Sequence, residues 1–570
     1  MPAASNLEAK EALRILLGLV RLFGELTLLV SGVLCAGFTS VASGTLLVYF
    51  LTSSDSWDGV FLLKLAVKAT AFGGVTLLLA LRLRWLRPYL RRAPYSDETL
   101  KNPSESSPLF LSIVLALAAG IAMLHLGDYP KAEPDEMHHL IVAKNLALHG
   151  EYASGHPDAG FVRFDSYDSV GPTVIAPVAG ALRVFGVELV PARMIMAGFF
   201  IALLAVLYAL FLPVAGGRGA VMGCAFVSTA LGTLYLAKTL YGEIPALLFL
   251  CCGLLCWRRA MRGTGGAPWL LFAGVWFGLA VVTKTFMVFA LWAFFAAWLY
   301  DRLSFRRIRV VHMLLPACCA GAVVAVWWVI QSAFQTVPEG VTTGQLAMYQ
   351  HNLMFGLDSV PRTLGWLFRH GAMISVSALG MLIAGVWVFY RRYDPAVVVL
   401  WMFAIFVGYW WVFFTTGNIP RYVWYALAIS AWCVGPVVAI ALRGAVRKRD
   451  GHWRVRPLRL FLATCMCVPF GMNLSYEFTA ALGHDDMRDD RLLCELVKAL
   501  PADVDIASTF YPVERTLNFF TGRHVARIAE TKEAVQGRAL VVLDAESQGA
   551  LVGELGPTRR IGRYAVFEGE

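Results

Sequence analysis

Residues 190–214 read VPARMIMAGFFIALLAVLYALFLPV, and this stretch decides the fold class: it is 25 residues with a single charge, Arg193. A hydrocarbon layer roughly 30 Å thick is crossed by about 20 apolar residues in helical form. Comparable stretches recur along the chain. Apolar residues make up 58% of the 570, charged residues only 15%, and the mean hydropathy is +0.63. A soluble protein of this length needs more polar surface than that. The backbone of a membrane-spanning segment must satisfy its own hydrogen bonds, so it is a helix or part of a closed barrel. Short alternating strands are almost absent before residue 500, which leaves an all-α polytopic membrane protein.

Hydropathy windows predict about thirteen spans. They fall near 25–51, 59–84, 108–127, 190–214, 219–236, 240–257, 268–283, 285–300, 311–330, 371–390, 395–415, 423–442 and 458–474. Basic loops at 82–92, 258–262, 302–309, 391–392 and 443–459 all come to one side when the spans are numbered from a cytoplasmic N-terminus. An odd count then carries the C-terminus outside. The net charge of +10 is largely this topology signal, set in short loops between apolar spans, and nucleic-acid binding is not expected. Of 11 cysteines, ten lie in or beside apolar spans, with neither a disulfide pattern nor metal-type spacing. The first apolar stretch reads as an anchor rather than a removable signal peptide.

Three blocks follow. Residues 1–107 hold two spans and a polar cytoplasmic linker, 91–108 (RRAPYSDETLKNPSESSP). Residues 108–474 hold eleven spans and two large external loops, 128–189 and 331–370. Residues 475–570 form a polar tail in which RDDRLLCELVKAL (488–500) reads as an amphipathic helix. DVDIAST (503–509), RALVVLDA (538–545) and RRIGRYAVFEGE (559–570) read as strands, so a small C-terminal α/β domain is expected outside the membrane.

The first external loop opens with GDYPKAEPDEMHHLIVAKNLALHGEYAS (127–154). Adjacent carboxylates, Asp135 and Glu136, follow Pro134 just beyond a span. Met137, Leu140, Ile141 and Leu148 then make one apolar face that ends at Gly150, which predicts a helix lying on the membrane surface. A purely structural reading has Asp135 capping that helix and Glu136 complementing its dipole. His138 and His139 point to different helix faces and do not make a metal pair.

Four segments in register resemble one family. The DE after a span with LALHGEYAS beyond it, LYLAKTLYGEIPALLFL (234–250), GLAVVTKTFMVFAL (278–291) and NIPRYVWYALAI (418–429) are similar to the bacterial relatives of protein O-mannosyltransferases. These belong, with the aminoarabinose transferases, to the GT-C glycosyltransferases. The likeness covers about 108–442. The chain departs from it in two added N-terminal spans and in the run after PRY, which lacks the usual second proline.

The resemblance implies transfer of a sugar from a polyprenyl-phosphate carrier to an external acceptor, a lipid, glycan or protein, with inversion at the anomeric carbon. Such chemistry wants a carboxylate to accept the acceptor's proton and cations to stabilise the departing phosphate. Asp135 is the expected base, with Glu136 second. Lys284 and Arg421 are the leading phosphate contacts, followed by Lys238 and Arg193. A Lys or Arg at a span end also snorkels to the interface, so that alternative stands beside Lys284 and Arg421. Glu243 either starts its helix favourably or binds sugar hydroxyls, and Tyr241 and Tyr422 stand beside these groups as substrate contacts. Tyr152, Asp165, Tyr167 and Asp168 are further candidates against a solvated loop. In 331–370, LAMYQHNLMFGLDSVPRT (346–363) offers His351 and Asn352 to the acceptor. No glycine loop that would cradle a nucleotide is seen, and no cofactor is implied. Metal dependence is left open.

Two alternatives remain. An oligosaccharide transferase or ligase would use the same fold to move a preassembled glycan. A transporter would show repeated halves and ionisable residues inside spans, for which Lys64 and Lys68 are the signal.

Overall fold

The computed structural model describes residues 108–164, 169–263, 266–304, 306–336, 365, 371–390, 394–414, 420–449, 452–455 and 457–483 of the bundle and its loops, and 487–508, 511–528, 531–535, 540–544, 548, 551–553, 557 and 559–568 of the tail. The first two expected spans with Lys64 and Lys68, the residues Asp165, Tyr167 and Asp168, and the segment with His351 and Asn352 lie outside the described residues.

The bundle is helical. Helix α1 spans Pro108–Met123, α2 Pro134–His149, α3 Pro172–Phe185 and α4 Leu189–Ser228. Then come α5 Thr233–Lys238, α6 Glu243–Met261, α7 Gly266–Thr283, α8 Phe289–Ser304 and α9 Val311–Phe334. The series closes with α10 Gly371–Tyr390, α11 Pro395–Phe414, α12 Pro420–Ala445 and α13 Pro457–Gly483. Every expected span from residue 108 onward falls on these helices, 219–236 being divided between the end of α4 and α5. Five of the described helices are long and apolar enough to cross a membrane by length and composition, and the protein is an integral membrane protein.

The expected spans 190–214 and 219–236 are two helical stretches that α4 joins across a kink, the second ending at Ser228 before α5 begins. Pro213 lies inside α4, and Gly216 has non-helical dihedrals between two helical stretches. Proline removes an i→i−4 hydrogen bond and clashes with the preceding turn, so the break falls where the sequence puts it. Position in the bundle follows burial. In α6, 72% of the most apolar window is covered by protein, against 6% in α9, which makes α6 central and leaves α9 to the lipid. Several polar groups inside the bundle find partners: the Trp257 indole donates to the His312 carbonyl at 2.7 Å, and the Arg258 guanidinium donates to Ala209 at 3.0 Å and stands 3.6 Å from Asp394. An unpartnered group there costs several kcal/mol, on the order of a lost hydrogen bond in hydrocarbon.

The loop 128–189 is more structured than expected. It holds α2, a hairpin of β1 (Ala153–His156) with β2 (Gly160–Arg163), and α3. Helix α2 is not a surface-lying amphipathic helix. Residues 136–145 are all covered except for traces, Met137 and Leu140 being fully buried, because α3 packs on one side and the tail on another.

A basic hairpin, β3 (Val446–Arg449) with β4 (His452–Val455), joins α12 to α13. The tail is the expected α/β unit. It comprises α14 (Arg488–Ala499), β5 (Ile506–Ser508), α15 (Tyr511–Thr521), β6 (Ala526–Arg527), α16 (Lys532–Val535), β7 (Leu540–Asp544), β8 (Arg559–Ile561) and β9 (Tyr564–Glu568). The sheet order is β6-β5-β7-β9-β8, with β5 parallel to both β6 and β7. The expected last strand, 559–570, is instead the antiparallel pair β8–β9. Leu493, Val497, Leu517, Val542 and Val566 fill the core of the unit.

Candidate functional site

The site forms where the first turns of α2, α6 and α12 meet the connection between α7 and α8. Asp135 is the second residue of α2, after Pro134. It does not cap the helix: Glu133 is the N-cap residue and makes no side-chain cap bond. The Asp135 carboxylate instead accepts a hydrogen bond from Arg421 Nη2 at 2.6 Å, while its side chain stays 51% exposed. Arg421 is the second residue of α12 and lies over the rings of Tyr241 at 4.5 Å and Tyr422 at 5.4 Å, so its guanidinium is held by π-faces and by one carboxylate.

A second pair stands behind the first. Lys284 is 6% exposed, and its ammonium donates to the Tyr241 carbonyl at 3.0 Å and lies 3.4 Å from Glu243 Oε1. This is the reverse of snorkelling, since the amine turns into the protein. Glu243 is 1% exposed, and neither of its carboxylate oxygens has a hydrogen-bond partner, leaving the ion pair as its anchor. It opens α6 directly after Gly242, whose φ of 81° suits glycine and turns the chain so that the carboxylate meets the helix dipole at its positive end.

Packing of backbone on backbone sets the place of Lys284. The Gly171 amide donates to the Thr283 carbonyl at 3.1 Å, and a Cβ at Gly171 would run into the Val282 carbonyl oxygen. That contact brings Ser169 to 3.5 Å from the Lys284 amine and 3.4 Å from His139 Nε2. Burial, with the Lys284 charge in addition, pushes His139 down to about 3, so the ring is neutral. Its Nδ1 donates to the Leu240 carbonyl at 2.8 Å, which leaves Nε2 to accept from Ser169.

The other expected residues are placed as follows. Tyr241 donates its hydroxyl to Glu133 Oε2 at 2.6 Å, and Tyr235 donates to the Tyr241 oxygen at 3.4 Å. Glu136 and Arg193 are fully buried and bound to each other through two hydrogen bonds, 3.0 and 2.8 Å, and Arg193 also donates to the Leu126 carbonyl at 2.9 Å. The structure therefore commits both to each other, with Glu136 turned away from solvent and Arg193 away from the Asp135–Arg421 pair. Lys238 is buried too: it donates to the Leu124 carbonyl at 2.7 Å and stands 5.1 Å from the Tyr129 ring. Tyr152 stacks on Phe164 at 5.0 Å and donates to the Val170 carbonyl at 3.3 Å, serving the hairpin. Among the described residues no group of three His, Cys, Asp or Glu could hold a metal ion.

Sequence reasoning missed Glu133, Ser169, His139 as a neutral acceptor and the buried Tyr425, whose hydroxyl has no partner and whose ring stacks on Phe286 at 5.6 Å. Glu133 had a signal in its place two residues before Asp135. The others had none, since each joins the site through tertiary contact.

Comparison with known proteins bears out the GT-C resemblance at the level of fold. The family model of dolichyl-phosphate-mannose-protein mannosyltransferase matches residues 169–330, less than half of the chain. The fold is similar to that of ArnT from Cupriavidus metallidurans bound to undecaprenyl phosphate, at 13% identity and TM-score 0.56, covering 81% of this chain and 98% of that one. It is also similar to the archaeal oligosaccharyltransferase AglB from Archaeoglobus fulgidus in complex with an inhibitory peptide and a dolichol-phosphate. There the identity is 13% and the TM-score 0.51, with 78% of this chain and 70% of that one covered. No curated protein sequence matches the chain. The chain has the GT-C fold.

Proposed function

We propose that the protein is a glycosyltransferase that moves a sugar from a polyprenyl-phosphate carrier to an acceptor at the outer face of a bacterial inner membrane, its N-terminus cytoplasmic and its C-terminus periplasmic. One observation carries the reading: a half-exposed carboxylate, Asp135, sits on Arg421, directly in front of the buried Lys284–Glu243 pair. Charges of both signs concentrated at one end of an apolar bundle suit a lipid phosphate and an incoming hydroxyl together.

In this scheme the acceptor oxygen attacks the anomeric carbon as the carbon–oxygen bond to the phosphate breaks. Asp135 takes the acceptor's proton, and the bonding pair leaves on the polyprenyl phosphate. Arg421 and Lys284 stabilise that leaving charge. In-line displacement inverts the anomeric centre. Glu243 holds the Lys284 amine towards the site and, with Tyr422 and Tyr425, stands where sugar hydroxyls would bind. An apolar cavity of about 70 Å³, lined by Phe277, Met287, Phe294 and Met313, lies on the same helix pair that presents Lys284 and suits part of a prenyl tail.

Undecaprenyl phosphate is the probe for a test. Its affinity for the protein in nanodiscs, measured by native mass spectrometry, should fall about tenfold or more in Lys284→Ala and in Arg421→Ala, each removing one charged hydrogen bond to phosphate. Asp135→Asn should bind the lipid at least as well as the natural protein, while losing transfer by about a hundredfold or more. Equal affinity in all the variants would show the cations to be structural.

A further inference from the structure

Tyr241 touches three elements of the site at once, although it is only 1% exposed. It lies in the connection 239–242 between α5 and α6, and each part of the residue serves a different element. Its backbone carbonyl accepts from the Lys284 amine at 3.0 Å. Its ring lies under the Arg421 guanidinium of α12 at 4.5 Å. Its hydroxyl donates to Glu133 Oε2 at 2.6 Å, and Glu133 is the N-cap residue of α2, two positions before Asp135. The rest of α2 is held by other groups. Glu136 binds Arg193, and the buried Lys144 amine donates to the carbonyls of Asn518 at 2.6 Å and Phe519 at 3.3 Å, where α15 of the tail packs along α2. Glu133 thus ties the entry of α2, and only the entry, to Tyr241.

This placement leaves the Tyr241 hydroxyl nothing to give a ligand. A phenol has one proton, and here it is committed to a carboxylate. The same oxygen accepts from Tyr235 at 3.4 Å. The way Arg421 is held matters as much. A π-face attracts a guanidinium without occupying its N–H groups. Arg421 gives Nη2 to Asp135, while its buried Nε has no hydrogen-bond partner. Arg193 instead spends its donors on Glu136 and the Leu126 carbonyl. A cation seated on a ring is fixed in place and keeps donors for a phosphate.

We propose that Tyr241 is the positioning residue that sets the spacing between the base and the phosphate-binding cations: its ring seats Arg421, its carbonyl seats Lys284, and its hydroxyl ties both to the start of α2. The inference rests on the reading of Arg421 and Lys284 as phosphate contacts and of Asp135 as the base. It replaces the expected role of Tyr241 as a substrate contact.

Two variants separate the ring from the hydroxyl, in full-length protein in nanodiscs with undecaprenyl phosphate as the probe. Tyr241→Leu removes the ring and should weaken binding about fivefold, the scale of one cation–π contact. In the Arg421→Ala background the same change should have no further effect, because the cation it seats is gone. Tyr241→Phe keeps the ring and should bind within about twofold of the natural protein. It should loosen the start of α2 instead. Hydrogen exchange of the Met137 amide, which donates to the Glu133 carbonyl at 2.9 Å, should quicken about fivefold on loss of the bond to the carboxylate. A loss of affinity in Tyr241→Phe equal to that in Tyr241→Leu would mean that the hydroxyl touches the lipid, and would overturn the positioning role. An undiminished effect of Tyr241→Leu in the Arg421→Ala background would overturn it too, as would unchanged affinity in Tyr241→Leu. Unchanged exchange in Tyr241→Phe would overturn the tie to α2. A natural protein that binds no undecaprenyl phosphate would instead remove the functional reading on which the inference stands.

Discussion

Breaking the Glu136–Arg193 pair should destabilise the protein far more than removing it whole. Both side chains are fully buried, and the guanidinium is bidentate on the carboxylate with a third bond to the Leu126 carbonyl. Removing one partner leaves an uncompensated charge, which costs about 3–5 kcal/mol. At roughly 2 °C per kcal/mol for a large domain, the thermal midpoint should drop about 6–10 °C. The two single variants should differ in a definite way. In Arg193→Met the stranded Glu136 escapes by taking a proton, so part of the loss should be regained as the pH falls to 5. In Glu136→Gln the stranded Arg193 has no such escape, since guanidinium does not deprotonate in proteins. The double variant Glu136→Leu/Arg193→Met replaces the pair by apolar groups of similar volume, and its stability should return to within about 1 kcal/mol of the natural value, the residue being the Leu126 carbonyl left without a donor. Tryptophan fluorescence in nanodiscs at one fixed scan rate gives the midpoints and respects irreversible unfolding. Single variants within about 2 °C of the natural protein would refute the reasoning, because burial of that completeness leaves no water to take the lost partner's place.

Three other outcomes follow from the same geometry. Gly171→Ala should lower the thermal midpoint and weaken undecaprenyl phosphate binding together, since its Cβ pushes Val282–Lys284 away; a change in neither would show that the loop yields freely. Asp394→Ala, at the other end of the bundle, removes the acceptor of the Ala396 and Val397 amides and the partner of Arg258, and should cost about 1–3 kcal/mol with lipid affinity unchanged. Docking of α15 should tighten as the pH rises. Burial holds Lys144 down to about 8, below its ordinary 10.5, so the undocked chain binds more protons between those values and stability rises across that window. Hydrogen exchange of 511–521, corrected for intrinsic rate, should show protection growing from pH 8 to 10, and Lys144→Met should flatten that slope; an unflattened slope would assign it to other groups.

The bundle was legible because lipid imposes a simple rule. A span needs only length and apolarity, both readable without knowing its neighbours, and every expected span from residue 108 onward lands on the described helices. The break at Gly216 agrees with that reading, since it divides α4 between the expected spans 190–214 and 219–236. The loop 128–189 failed for the opposite reason. Val174, Ile175, Val178 and Leu182 of α3 are buried against α2 rather than against lipid. A helix of 14 residues carrying Pro177 is too short and too interrupted for a hydropathy window. Helix α2 misled because its apolar stripe is genuine, while the opposite face is covered by a tail some 370 residues further on, whose docking no local pattern announces.

The paired carboxylates show where sequence stops and packing begins. Asp135 and Glu136 are adjacent and chemically alike, and helical geometry turns them about 100° apart. That rotation sends Glu136 inward to Arg193 at 0% exposure and leaves Asp135 at 51%, facing Arg421. A general base must be reachable by the acceptor and must release its proton afterwards; a carboxylate locked in a dry, bidentate pair does neither. Arg193 and Arg421 divide in the same way. Both were span-end cations in the sequence, yet one spends its donors on Glu136 and Leu126, while the other rests on two tyrosine rings and one half-exposed oxygen. Glu136 and Arg193 tie the start of α4 to α2, which holds the first turn of α2 in place and with it Asp135. The inner pair is thus best understood as the mount of the outer one.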